Sequence, residues 1–339
     1  MTSKRYIGSI ITDNPTEPTD NFETTSAAGV WSLAEAFAYT KAGVWPTAGN
    51  VAPIGLVFGG ESGSTEIEKI NLSSGGAAAS FGTLSVGRFY SAAFASSSRA
   101  VVGGGTGPSG VTNSIEYISF SSGGSTSDFG DMIVALRLHA GFSNSTRGLF
   151  AGGRNSDNDR QEGLWYVTIA STGNSTYWGD LESGITIEAT GCGSSSRGLI
   201  SGGSNSSGSL INNISYLTYS STGSMGDFGD LTISVSGAAS GSSSTRAVIG
   251  GGLASGYSNT ISYVTISSTG NATDFGDLTT NHRYSAGLSN SINLVFAGGE
   301  GSSGAASKIT IASTGNSTSF GSGFATTSPS GGSNSHGGL

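Results

Sequence analysis

Cysteine appears once in the 339 residues, at Cys192, and histidine three times, at His139, His282 and His336. A single thiol excludes an intrachain disulfide, and so few soft ligands leave almost nothing for a zinc or copper site. Charge is scarce as well: only 11% of residues are charged, and the net charge is -8. Without a basic stripe there is nothing to attract nucleic-acid phosphates. No apolar run approaches a membrane span, and the opening "MTSKRYIGSIITDN" lacks the apolar core of a secretory signal. The expectation is a chain with no nucleic-acid or membrane partner, no metal and no cofactor, and no exit by the signal-peptide route.

What the sequence has in quantity is glycine, 57 residues of it, beside a hydrophobic content of 35%. Stability must come from backbone pairing and thin apolar layers. The pattern in which these residues recur is the main signal.

An apolar strand running into glycines appears as "LVFGGE", "AVVGGG", "GLFAGG", "GLISGG", "AVIGGG" and "LVFAGG". Aligned, these place a glycine at Gly60, Gly104, Gly152, Gly202, Gly251 and Gly298, spaced 44, 48, 50, 49 and 47 residues apart. An aromatic followed by glycine recurs at Phe81, Phe129, Trp178, Phe228, Phe275 and Phe320 with a matching period. A third anchor, at Lys69, Tyr117, Tyr166, Tyr216, Tyr263 and Lys308, precedes each aromatic by 12 residues. That constancy fits a hairpin, whose register a single insertion would shift.

Each unit therefore reads as four short strands, a to d from inside to outside, with b carrying the glycines and c to d forming the hairpin. Four strands at this period predict a β-propeller blade, apolar on both faces because it is sandwiched between neighbours. Six b strands precede only five good a strands, and the C-terminal "FATTSPSGGSNSHGGL" supplies the sixth. The predicted fold is an all-β, six-bladed propeller over residues 51–339, closed when the C-terminal strand joins the first blade.

The glycine doublet ending strand b, followed by aromatics in c and d, is similar to the kelch repeat. The wording "YVTIASTGNSTYWGDL" at 166–181 and "SSSTRAVIGGG" at 242–252 resembles propeller repeats of tailed-bacteriophage virion proteins, as do "RYIGSIIT" and "GVWSLAEAFAYTKAGVWP" in the leader. The resemblance implies a non-enzymatic virion protein, a tail fibre or appendage that attaches to a host-surface glycan or protein. A capsid or tail decoration protein and a carbohydrate-active enzyme are the alternatives.

Residues 1–50 stand outside the repeat. Ser32 and Glu35 form a capping box, Leu33 and Phe37 share a helical face, and Gly43 and Pro46 end the pattern, which predicts one short helix. A helix of that length needs a docking partner. The leader, through Tyr6, Ile7, Trp31, Phe37 and Trp45, is the expected attachment arm to other virion proteins.

Length varies mostly in the b to c connection, where insertions on one face mark a binding surface. "GRNSDNDRQEGLW" at 153–165 is the one strongly charged loop. Arg154, Asp157, Asp159, Arg160 and an exposed Trp165 are its candidate ligand contacts, with sugar hydroxyls and ring faces as the chemistry they suit. A calcium ion on Asp157, Asp159 and Glu162 fits poorly, because EF-hand spacing and its glycine are missing. Arg99, Arg147, Arg197 and Arg246 recur before the anchor glycine, and Asp131, Asp180, Asp230 and Asp277 after the aromatic. A repeated charge of this kind points to architecture. No Ser/His/Asp arrangement or nucleophile elbow is identifiable by spacing.

Overall fold

The computed structural model describes residues 52–60, 63–182 and 187–339. The leader strand, the leader helix and the attachment residues Tyr6, Ile7, Trp31, Phe37 and Trp45 all lie outside this range. Residues Ile54–Leu339 form one compact unit of short antiparallel sheets.

Six blades surround an axis. Blade 2 is typical, with strand a at Ala92–Ala95, b at Arg99–Gly103, c at Ser114–Ser119 and d at Ser127–Asp131. Blades 3, 4, 5 and 6 repeat it, beginning at Ala140–Ser143, Thr190–Gly193, Ala239–Ser242 and Ala286–Ser289. In blade 1 the innermost strand is Ser330–Ser333, paired antiparallel with Ile54–Phe58, so the predicted closure is present. Blades 1 and 6 each gain a fifth, two-residue strand from the next blade's hairpin, Gly124–Ser125 and Gly76–Ala77.

The core is divided among the seams between blades. Six apolar clusters each join two neighbours, including one that seals blade 6 against blade 1 through Val57, Leu288 and Val295. Between blades 2 and 3 the rings of Phe94 and Phe150 lie 4.9 Å apart. Burying each such side chain contributes about 1.5–3 kcal/mol.

The aromatic-glycine anchor has a steric cause. A Cβ on Gly82, Gly130, Gly179, Gly229, Gly276 or Gly321 would collide with the backbone of the next blade's c–d turn, at Gly124, Gly173, Gly223, Gly270, Gly315 and Gly76. That turn hooks onto strand d: Gly173 N donates to Phe129 O at 2.7 Å and Asn174 Oδ1 accepts from Asp131 N at 2.9 Å. The same clasp recurs with Asn271 on Asp230 and Asn316 on Asp277. The sequence "STGN" is thus a connector between blades as well as a hairpin turn.

The repeated arginines and aspartates do not pair with each other. Among the described residues the ion pairs are Arg88–Glu116 and Arg283–Glu300. Arg147, Arg197 and Arg246 instead donate to carbonyls of the following blade, Tyr219, Ile266 and Ile311, at 2.8–2.9 Å. Each also stacks on the tyrosine anchor of its own blade, which meets the strand-d aromatic edge-on. In blades 1 and 6, where the arginine is missing, Lys69 and Lys308 sit over Phe81 and Phe320.

Candidate functional site: the ring at the channel mouth

Strands a converge on the axis, and little room remains for side chains there. The narrow channel between them is lined by Gly141, Gly191, Gly241, Gly287 and Gly331 with serines such as Ser242 and Ser289. At one end the chain itself crosses the floor. His336 Nε2 bonds to Ala95 O at 2.8 Å, Gly338 N donates to His336 Nδ1 at 3.1 Å, and Gly337 N donates to Ser242 O at 3.0 Å.

The other end is a recessed mouth, built by the segments that lead into strands a. Here one position per blade, Tyr90, Leu138, Glu188, Gly237, Tyr284 and Ser328, adopts a left-handed backbone with φ between 48° and 61°. Five hydrogen bonds carry the ring from blade to blade: Tyr90 N to Ser328 O, Leu138 N to Tyr90 O, Glu188 N to Leu138 O, Gly237 N to Glu188 O and Tyr284 N to Gly237 O, at 2.7–3.3 Å. Left-handed backbone at non-glycine residues costs about 1–3 kcal/mol each and persists where the surroundings over-determine it. The scaffold is constant around the ring and the side chains differ at every step except the two tyrosines.

Those side chains bring two titratable groups together, Tyr284 and Glu188. The Tyr284 phenol lies within the field of the Glu188 carboxylate; burial first, then the charge and proximity of Glu188, hold the phenol well above its usual pKa. Ser236 Oγ also donates to Glu188 Oε2, at 2.8 Å. The Arg160 guanidinium lies within the field of Glu188 and donates to Ser204 Oγ at 3.2 Å. On the opposite side Tyr90 meets Tyr284 edge-on at 5.4 Å, and Arg283 lies 4.7 Å over the Tyr284 ring, held by Glu300 at 2.7 Å. His139 lines the mouth but is buried, which pushes its pKa down to about 3 and keeps it neutral.

The charged loop is placed around this mouth. Arg154 forms backbone bridges to Arg137 and to Arg160, making a tight turn in which Asn155 Oδ1 accepts from Asp159 N at 2.8 Å. Asp157 and Asp159 are exposed on its outer side, and only Arg160 of the five predicted contacts reaches toward the ring. Trp165 is not exposed: it is 6% accessible and belongs to the core between blades 2 and 3. As a strand-c residue its side chain faces the blade seam, which the alternation of the loop's end conceals. No group of three or more His, Cys, Asp or Glu is arranged to hold a metal ion among the described residues.

The ring residues carried a signal in the sequence that goes unnoticed without the structure. Tyr90, Leu138, Glu188, Gly237 and Tyr284 each precede the anchor glycine of their unit by 14 residues. Fixed spacing with varying identity is what a ligand-facing position on a repeated scaffold produces.

No protein-family model and no curated protein matches this sequence. The fold matches solved structures, among them the "Structure of YjhT", a bacterial protein, with a TM-score of 0.63 and 15% identity, covering 78% of this chain and 94% of that one. At that identity the shared property is the six-bladed propeller. The likeness that emerges is thus to a bacterial propeller and not to a phage fibre. The expectation of a non-enzymatic virion protein on a bacteriophage particle, as tail fibre, appendage or decoration, is corrected accordingly and set aside.

Proposed function

We propose that the protein is a carbohydrate-active enzyme that works by acid–base catalysis at the channel mouth. The observation that carries this reading is the juxtaposition of the Tyr284 phenol and the Glu188 carboxylate in the lining of one recessed opening. The phenol can deliver its proton to the leaving saccharide oxygen as the glycosidic bond breaks, while the carboxylate takes the proton of the water that bonds to the anomeric carbon and then returns it to the phenolate. The raised phenol pKa keeps Tyr284 protonated, so that Glu188 faces a hydroxyl and not a phenolate. Glu188 is the one carboxylate among the residues lining the mouth, so the usual scheme of two facing carboxylates does not apply and the tyrosine fills the second place. The Tyr90 ring offers an apolar edge and face to a sugar's C–H surface, and the loops around the rim supply hydroxyl and amide partners.

The test is turnover of a panel of aryl glycosides and polysaccharides by the full chain. Tyr284→Phe and Glu188→Gln are each expected to lower the rate by about 10²- to 10⁴-fold, whereas Asp157→Ala on the outer loop leaves it unchanged. Turnover that survives both mouth variants, or no turnover across the panel, would overturn the reading.

A further inference from the structure

Gly237 stands apart on the ring. Its φ of 61° is matched by 56°, 57°, 58°, 52° and 48° at Tyr90, Leu138, Glu188, Tyr284 and Ser328, all of which carry a Cβ. The backbone at this position carries a side chain in the five other blades despite its strain, so its left-handed conformation alone does not single out blade 5 for a glycine. The neighbouring ring gives one. A Cβ on Gly237 would stand 2.7 Å from Tyr284 Cε1 and 2.9 Å from Cδ1. The Tyr284 ring lies across the glycine toward Glu188, two ring positions away, with Tyr90 against its other side and Arg283 over its face. Next to Gly237, Ser236 Oγ holds the carboxylate that the phenol meets.

We infer that Gly237 is a positioning residue: its missing side chain is what lets Tyr284 cross blade 5 and reach Glu188. The inference gives the proposed acid–base pair its origin and rests on that reading for its functional meaning, although the contact itself does not. Any side chain at 237 lifts the ring from its seat and moves the phenol away from the carboxylate.

The experiment is a double-mutant cycle of Gly237→Ala, Tyr284→Ala and the combination, in the full chain, read by urea unfolding. With Tyr284 present, Gly237→Ala is expected to lower the folding equilibrium constant by about tenfold or more, as overpacking does. With Tyr284 replaced by alanine the same change is expected to cost at least about fivefold less, because only the strain of a left-handed alanine remains and the two sites couple only through the ring. An equal cost in both backgrounds overturns the inference, because the backbone alone would then be asking for glycine. Should Gly237→Ala fail to fold, recovery of folding in the double variant carries the same meaning, and failure of both overturns it. Tetranitromethane labelling located by mass spectrometry gives a second reading: Tyr284 should react several-fold faster in Gly237→Ala than in the parent, and an unchanged rate counts against the displacement. Coupling without saccharide turnover leaves the positioning intact and removes the enzymatic reading; turnover without coupling does the reverse.

Discussion

The Arg246 guanidinium lies 4.4 Å from the centre of the Tyr263 ring while its Nη1 donates to the carbonyl of Ile311, in the following blade, at 2.9 Å. One side chain thus fastens a strand to its own blade and to the next. Removing it by Arg246→Ala is expected to destabilise the fold by about 1–3 kcal/mol, the sum of a stacked cation and one charged hydrogen bond. Urea unfolding checks this. Arg246→Lys should recover only part of the loss, because an ammonium cannot stack and donate in the same plane.

The two ion pairs should behave differently. Arg88 and Glu116 are buried, with the guanidinium also donating to Ser114 O at 3.1 Å and the carboxylate accepting from Ser85 N at 2.9 Å. Glu116→Gln leaves that guanidinium charge uncompensated and should cost about 3–5 kcal/mol. Glu300→Gln, in a pair whose side chains are 21–25% accessible, should cost about 1 kcal/mol or less. Equal losses in denaturant titrations would contradict the distinction.

His139 and His282 are buried and His336 is half-buried, and desolvation pushes each below the ordinary value, to about 3 at His139 and about 4 at His282, with His336 lowered as well. The unfolded chain therefore binds more protons than the native one as pH falls from the normal histidine range. Stability is full above about pH 6.5 and declines through that window toward the native values, by about 1.4 kcal/mol per unit for each histidine. Urea unfolding between pH 7 and pH 4 should show this slope, and His139→Asn should reduce it by one proton's share.

Within the 153–165 loop, consequences should divide sharply between neighbours. Trp165→Ala empties a volume in the seam between blades 2 and 3 and should cost about 3–5 kcal/mol. Asp157→Ala, on the exposed turn, should change stability by no more than about 0.5 kcal/mol. Thermal melts of the two variants decide between a core and a surface role for Trp165.

Much of the architecture was readable because its causes repeat. Gly130, Gly179, Gly229 and Gly276 each face the same neighbouring turn, so one steric demand wrote the same residue into every unit. Closure by Ser330–Ser333 was legible as well, since a strand surplus at one end answered a deficit at the other. The candidate site was not legible for the opposite reason. Glu188 and Tyr284 are 96 residues apart and belong to units with no shared motif at that position. Only the curvature of the ring brings them together. The search for charge led instead to Asp157 and Asp159, which the turn at Asn155 directs outward. Trp165 misled because an aromatic at the end of a polar loop reads as part of the loop, while the strand-c register turns it into the seam.

The pairing of Ile54–Phe58 with Ser330–Ser333 joins the first described strand of the propeller to its last. During synthesis five blades can form their own hairpins while Val57 and Leu288, which meet in the final seam, stay uncovered. The nascent chain therefore carries an unsealed apolar flank until more than three hundred residues have been made. Such long-range closure is slow, and the open flank is the point at which two unfinished chains would join each other.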